Sequence, residues 1–459
     1  MHGYQGRLAD EIYTHNASCA VVRVGGGKTV IGGTAITDLL EDGVIRRALI
    51  IAPKKVCKFV WATEFEEWDH LAKWQSEIGV CLGTPQQRAA VLASGCKIVV
   101  INYDNISWLF GERKTRQSPG KPAAIEDYPE LFDFALFDEI SKLRSPSGKR
   151  AKRVAALAHK FKNIHGMTAS IMPKGLENVF MPTRIVSRDK CFGASFYKWR
   201  ETFFYTTDFL GYKWEPRQGA KEAVMERMEP WLYGVDGKEY PKQKKGTFLH
   251  RPYDLPPKAV KEYKRMDAVM VAEASEGHSI LAASAASSSQ KLTQLCSGFM
   301  YDEDKKPHLF HEELFDTYDD VREEAGGEPM LTYYWYKHTE AELRRRYPDM
   351  IILDDKQGQD VVDKWNAGEI PHMAVHPASA GHGLNIQFGA RLGCWLELTN
   401  YDAELFEQAC GRLVRSGQQR DVTFYMCYAR DTHIEHQMMP VVERRLSEQE
   451  AFKQLLRRV

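Results

Sequence analysis

The stretch Cys19-Ala-Val-Val-Arg-Val-Gly-Gly-Gly-Lys-Thr29 joins a short apolar, β-branched run to three glycines, a lysine and a threonine. The run Cys19 to Val24 reads as a strand, and the residues after it as a tight turn into a helix. Gly25, Gly26 and Gly27 let backbone amides approach an anion, and the helix N-terminus adds partial positive charge. Lys28 is then placed for terminal phosphates, and the Thr29 hydroxyl for Mg²⁺. The eight-residue form of such a loop needs glycine where this chain has Val22, so only the shortened Gly-x-Gly-Lys-Thr form is present. Taken alone, these residues also suit a glycine-rich turn with an incidental lysine.

Outward from this turn, apolar runs alternate with polar or helical stretches through the first 180 residues. Cys19 to Val24, Ala48 to Ala52, Lys97 to Asn102, Phe134 to Phe137 and Asn163 to Thr168 are the candidate strands. That alternation predicts a parallel α/β sheet, whose ligands sit beyond the carboxyl ends of the strands. Residues 181–305 are aromatic-rich and then helical, around Lys258 to Glu276 and Ser288 to Leu295, which predicts a bridging subdomain. The run Ala282 to Ser289 suits a flexible linker and a tightly packed helix equally. A second series follows at Met330 to Tyr336, Met350 to Leu353, His372 to His376, Cys394 to Leu398 and Val422 to Tyr428. The expected architecture is therefore α/β: two RecA-like parallel-sheet lobes, 1–180 and 306–459, with a mostly helical insertion at 181–305 between them.

Two further groups carry chemistry. Phe134-Ala-Leu-Phe-Asp138-Glu139 is an apolar strand ending in paired acids, about 110 residues after Lys28. Asp138 is placed to hold Mg²⁺ and Glu139 to orient and deprotonate an attacking water, although paired acids also cap strands. Gln408, Arg412 and Arg415 recur at four and three residues, the spacing of one helix face. Guanidinium groups suit phosphate oxygens, and the same residues would otherwise make a basic surface helix.

Composition limits the alternatives. A chain of 459 residues exceeds one ordinary core, and 43% hydrophobic with 27% charged residues is a globular balance. No apolar run spans a bilayer, and the N-terminus carries acids rather than a secretory leader, so a cytoplasmic, membrane-free protein is expected. Nine cysteines without a Cys-x-x-Cys pair argue for a reducing compartment and against structural zinc. The formal net charge is zero, so a nucleic-acid site must be a local groove rather than a long-range field. Basic clusters at Arg113 to Arg116, Lys149 to Arg153, Lys242 to Lys245 and Arg344 to Arg346 read singly as solvated faces.

The order of these motifs resembles the Swi/Snf-type ATPases of helicase superfamily 2, especially compact members found in bacterial viruses. The resemblance runs through nearly the whole chain. It adds Tyr4-Gln5, Ile51-Ala-Pro-Lys54 with Trp61, and Asn102-Tyr103-Asp104, and it takes in the basic tail from Asp138 to Arg150. In the second lobe it rests on Ser379-Ala-Gly-His-Gly-Leu-Asn-Ile-Gln387 and on Gln408 to Gln418. It implies an ATP- and Mg²⁺-dependent DNA translocase, with Gln5 on adenine and Gly25, Gly26, Gly27, Lys28 and Thr29 around the phosphates. By the same resemblance Thr29 and Asp138 hold the metal, Glu139 activates water, and Gln408, Arg412 and Arg415 complete the site from the second lobe. Gly381, His382 and Gly383 lie between DNA and nucleotide, and Pro53, Lys54, Asn102, Tyr103 and Ser379 touch the phosphodiester backbone without reading bases. A bacterial host cytoplasm and replication or recombination partners on duplex, forked or branched DNA go with that picture.

One segment departs from the family pattern. Where Thr-Gly-Thr-Pro followed by Asn is usual, this chain has Thr168-Ala-Ser-Ile171 and then Lys174. Hydroxyls survive at Thr168 and Ser170, but the glycine and proline are gone. Ser141 stands where histidine is common. Duplex translocation leads over true unwinding, and a catalytically weak DNA-binding scaffold subunit is the competing class. A small-molecule kinase shares the phosphate loop but has no use for Gln408 to Gln418.

Overall fold

The computed structural model describes residues 1–111, 131–173, 175–207, 214–235, 239–240, 246–275, 281–353, 359–380, 385–398, 403–415, 417–444, 446 and 457–458. The chain forms two compact units, one of residues 1–241 with 447–459 and the other of residues 242–446.

In the first unit, β1 (Ala17–Val21), β2 (Ala48–Ala52), β3 (Ile78–Cys81), β4 (Ile98–Asn102), β5 (Phe134–Asp138) and β6 (Asn163–Thr168) belong to one sheet. A small antiparallel hairpin, β7 (Phe204–Thr206) and β8 (Trp214–Pro216), stands apart, and β9 (Leu232–Gly234) returns to the sheet. The order is β9-β1-β6-β5-β2-β4-β3, with Arg457–Arg458 added outside β9. All of these pairs are parallel.

The strands read as unbroken apolar runs because both faces are covered. Along β2, Leu49 and Ile51 enter the core on one face, while Ala48, Ile50 and Ala52 enter the core on the other. Burying a side chain such as Ile50 contributes about 1.5–3 kcal/mol. Helix α1 (Gly3–Thr14) precedes β1, α2 (Lys28–Glu41) follows it, and α3 (Lys54–Phe59) follows β2. Inside α2, Gly32 and Gly33 each weaken the helix by about 1 kcal/mol relative to alanine. Close packing explains them: a Cβ at Gly32 would lie 2.7 Å from Leu136 Cδ2, and one at Gly33 would lie 2.8 Å from Phe65 Cε1.

The second unit holds β10 (Thr247–Tyr253), the antiparallel pair β11 (Phe299–Tyr301) and β12 (Pro307–Leu309), then β13 (Met330–Tyr333), β14 (Ile351–Leu353), β15 (His372–Val375), β16 (Leu392–Trp395) and β17 (Thr423–Ala429). Its main sheet runs β10-β17-β16-β13-β15-β14 and is parallel in every pair. Two parallel α/β sheets are thus present, as the alternation of runs implies.

The expected division at 180 and 305 is not the one the contacts follow. Residues 181–305 are shared between the units, because β9 pairs with β1 and β10 pairs with β17. An open sheet edge carries unpaired backbone groups, and short runs that satisfy them are drawn into the sheet. The helical part is present as Pro257–Ser275 and Leu281–Cys296, and the latter takes in the whole of the run from Ala282 to Ser289.

Candidate nucleotide site and the motifs of the second unit

In the first unit, β1, β2, β4, β5 and β6 run parallel and end on the same edge of the sheet. Just beyond those ends lie Gly25 to Thr29, Pro53 and Lys54, Asn102 and Tyr103, Asp138 and Glu139, and Thr168 to Ser170. One edge therefore collects most of the first-lobe residues singled out by the motifs.

The glycine loop has the backbone its composition requires. Gly25 and Gly27 have φ of 73° and 81°, and Gly27 is the N-cap of α2. A Cβ at Gly26 would stand 2.6 Å from Val22 Cγ1, and one at Gly27 2.2 Å from Gln5 Nε2. The loop therefore tolerates no side chain at either position, as a backbone cradle for phosphate demands. Tyr4 Oη donates to the Gly26 carbonyl at 2.9 Å and Gln5 Nε2 to the same oxygen at 3.2 Å. Gln5 Oε1 accepts from the backbone N–H of His2 at 2.7 Å, so this buried side chain braces the loop.

A residue that motif reading missed also holds the loop. The backbone N–H of Arg23 donates to Tyr240 Oη at 3.2 Å, and the Arg23 guanidinium lies 4.0 Å from the Tyr240 ring centroid. The same ring meets Tyr4 edge-on at 4.9 Å. Tyr240 lies 217 positions from Arg23 with no motif around it, so no local pattern points to it.

Lys28 and Glu139 face each other, with Nζ 3.7 Å from Oε2. Glu139 is 7% exposed and has φ of 67°, a left-handed backbone uncommon for a residue with a side chain. Its Oε1 accepts from Ser141 Oγ at 3.1 Å, from the Ala169 N–H at 3.4 Å and from Thr168 Oγ1. The altered third segment and Ser141 therefore both reach the catalytic candidate. Thr168 Oγ1 also lies 2.8 Å from the Ser170 carbonyl, and its single proton must choose between the two acceptors.

Asp138 is 4% exposed and accepts from Trp61 Nε1 at 3.0 Å. Burial pushes its carboxyl up from the ordinary 3.8 to about 6; Glu139 adds to the rise, while Lys28 and the Trp61 bond oppose it. A bound cation would offset the cost of ionising that buried carboxyl. With Thr29 at the start of α2 beside the glycine loop, one carboxylate and one hydroxyl are oxygen donors of the kind that suit Mg²⁺ on a nucleotide.

Among the backbone-contact candidates, Pro53 caps α3 and Lys54 is exposed at its first position. Asn102 is buried, and its carboxamide bonds with Asn105 at 2.5 Å and Asp104 at 3.4 Å. Tyr103 is as buried as Asn102, at 4% exposed, and its ring joins the core. Its hydroxyl donates to the Asp138 carbonyl at 3.0 Å, and burial pushes it well above the usual tyrosine range.

In the second unit Ser379 lies in the short helix Pro377–Ala380 that follows β15, whereas Gly381, His382 and Gly383 fall outside the described residues. Gln408 sits on the helix Ala403–Cys410, with Nε2 3.2 Å from Glu404 Oε1. That helix stops before Arg412, so Gln408, Arg412 and Arg415 do not share a helical face. Gly411 follows its last residue, and the chain turns: Arg412 N bonds to the Ala409 carbonyl at 3.1 Å and Arg415 N to the Leu413 carbonyl at 3.1 Å. Arg412 is 5% exposed and Arg415 half-buried, so neither belongs to a basic surface helix.

A buried acid in this unit also went unread. Glu397, just after β16, accepts from the N–H groups of Trp335 and Tyr336 at 2.7 and 3.1 Å and from Thr339 Oγ1 at 2.5 Å. It fixes the turn into the helix Lys337–Arg346.

Members of two basic clusters pair with acidic neighbours. Arg344, Arg345 and Arg346 pair with Glu340, Glu342 and Glu312, and Arg150 pairs with Asp104 at 2.6 Å. The clusters from Arg113 and from Lys242 lie outside the described residues. Seven of the nine cysteines are buried. Among the described residues, no helix is long and apolar enough to cross a membrane.

No protein-family model matches the chain. It is 26% identical over 470 residues to protein p41 of Acyrthosiphon pisum secondary endosymbiont phage 1, a similarity covering 99% of this chain and 97% of that protein. Among solved structures, the Sulfolobus solfataricus SWI2/SNF2 ATPase core in complex with dsDNA aligns over 99% of this chain and 93% of its own, with 16% identity and a TM-score of 0.42.

Proposed function

We propose that the chain is an ATP-dependent DNA translocase of the Swi/Snf type, hydrolysing ATP to move along or remodel duplex DNA. The observation that carries the reading is the Lys28–Glu139 pair at 3.7 Å, set between a side-chain-free glycine loop and the buried Asp138. A cation, an acid and a backbone cradle at one sheet edge are the parts a phosphoryl-transfer site needs.

In this reading the amides of Gly25 to Lys28 and the Lys28 ammonium bind the phosphates, and Thr29 with Asp138 holds Mg²⁺. The ion supplies neutralisation of the phosphate charge when bound. The incoming phosphate draws Lys28 away from Glu139, which frees Oε2 to accept a proton from water, while Ser141, Thr168 and Ala169 keep Oε1 fixed. Gln408, Arg412 and Arg415 are the second unit's candidates for contact with a γ-phosphate. Pro53, Lys54, Asn102, Ser379, Gly381 and His382 follow the DNA backbone. The phage relative is consistent with a viral setting.

The contacts from Thr168 and Ala169 to Glu139 favour an active enzyme over a DNA-binding scaffold, because the changed segment still touches the acid. The test is ATP turnover with and without duplex DNA for the wild type and Glu139→Gln. Wild-type turnover that rises on duplex DNA, with the variant binding ATP but turning over at least a hundredfold more slowly, is expected. Equal turnover in the two proteins removes Glu139 from catalysis, and no DNA stimulation in the wild type removes the translocase. Triplex displacement beside strand displacement separates movement on duplex from unwinding.

A further inference from the structure

Trp61 is fully buried in the turn that follows α3, with its backbone N–H bonded to the Val56 carbonyl at 2.9 Å. Its one polar atom, the indole N–H, donates to Asp138 Oδ2 at 3.0 Å. The seat for the ring is built by an absence: a Cβ at Gly32 of α2 would come within 3.3 Å of Trp61 Cη2 and 2.7 Å of Leu136 Cδ2. Phe65 closes the seat with ring centroids 6.1 Å apart.

Volume filling alone does not account for this arrangement. Trp199, almost as buried in the same unit, has no hydrogen-bond partner for its indole N–H among the described residues. The fold thus buries an indole elsewhere without aiming it, whereas Trp61 is aimed at the acid that ends β5.

We infer that Trp61 is a positioning residue for the nucleotide's metal ion: its N–H fixes the Asp138 carboxylate through Oδ2, so that Oδ1 is the oxygen presented to Mg²⁺. The inference rests on the nucleotide reading above. A carboxylate held at one oxygen cannot swing to chelate a cation with both, and this suits an ion that keeps its waters and strict octahedral geometry. Trp61 would act only through Asp138 and never touch nucleotide.

The experiment is equilibrium binding of a fluorescent ATP analogue to the full chain, titrated with Mg²⁺ or held in EDTA. Wild type, Trp61→Phe and Phe65→Leu are compared, the last loosening the same seat without touching Asp138. Trp61→Phe is expected to raise the half-saturating Mg²⁺ about tenfold and leave affinity in EDTA within twofold. Phe65→Leu is expected to lower the melting temperature without moving the Mg²⁺ curve. Unchanged Mg²⁺ dependence in Trp61→Phe, or an equal shift in Phe65→Leu, overturns the role given to Trp61. Absence of Mg²⁺-dependent tightening in the wild type overturns the nucleotide reading itself. If Trp61→Phe does not fold, the ring-¹⁵N signal of Trp61 in the wild type decides: it is expected to move when Mg²⁺ joins bound nucleotide, and a stationary signal refutes the inference.

Discussion

Asp138→Asn is expected to make the metal-free protein more stable while removing its Mg²⁺-dependent nucleotide binding. Burial raises the Asp138 carboxyl from 3.8 to about 6, so between those values the folded chain holds a proton that the unfolded chain releases. Stability attributable to this group therefore falls as pH rises from about 4 to 6 and stays lowered above. At about 1.4 kcal/mol for each tenfold change in proton affinity, the ionised carboxylate costs the fold about 3 kcal/mol at pH 7.5 and about half of that at pH 5. Asparagine keeps the shape and never ionises, so the variant should recover most of that difference. For a unit of this size that corresponds to roughly 6 to 12 °C in melting temperature. Thermal unfolding of both proteins in EDTA from pH 5 to 8 measures it. A variant no more stable than the wild type at pH 7.5, or a gap that fails to shrink toward pH 5, would refute the claim that this carboxylate is held ionised against its surroundings.

Two other substitutions probe the same edge of the sheet. Gly27→Ala places a Cβ 2.2 Å from Gln5 Nε2 at φ of 81°, so ATP affinity should drop more than tenfold in a fluorescence titration. Thr168→Val removes a hydroxyl from Glu139 but leaves the phosphate loop intact. Its turnover should fall roughly ten- to hundredfold with ATP affinity nearly unchanged, since misplacing a catalytic group by about 1 Å can cost about a hundredfold. Steady-state kinetics beside equilibrium binding separates the two effects.

Much of the first unit was legible because parallel strands buried on both faces must be apolar throughout. The runs from Ala48 to Ala52 and from Asn163 to Thr168 coincide with β2 and β6. The glycine loop was legible for the opposite reason, since its φ values admit little else. Tyr240 and Glu397 were not legible, because each works by contacts with residues distant in sequence and neither sits in a periodic pattern. The burial of Tyr103 was not legible, because polar residues at strand ends look alike whether they face a ligand or brace the chain beneath it. The helix ending at Cys410 was overextended because four- and three-residue spacing cannot reveal a chain that turns at Gly411. The contact units differ from a division at 180 and 305 because three- and seven-residue strands such as β9 and β10 are recruited by sheets assembled far along the chain.

The return of residues 447–459 to the first unit makes the second unit a guest inserted within its host, entered at 241–242 and left at 446–447. The guest is consequently leashed at both of its ends. Proteolytic nicking of one leash would leave the halves covalently joined, and only a double cut would liberate the guest as a separate polypeptide. Any excursion of one unit must likewise be accommodated by the backbone at two crossings at once.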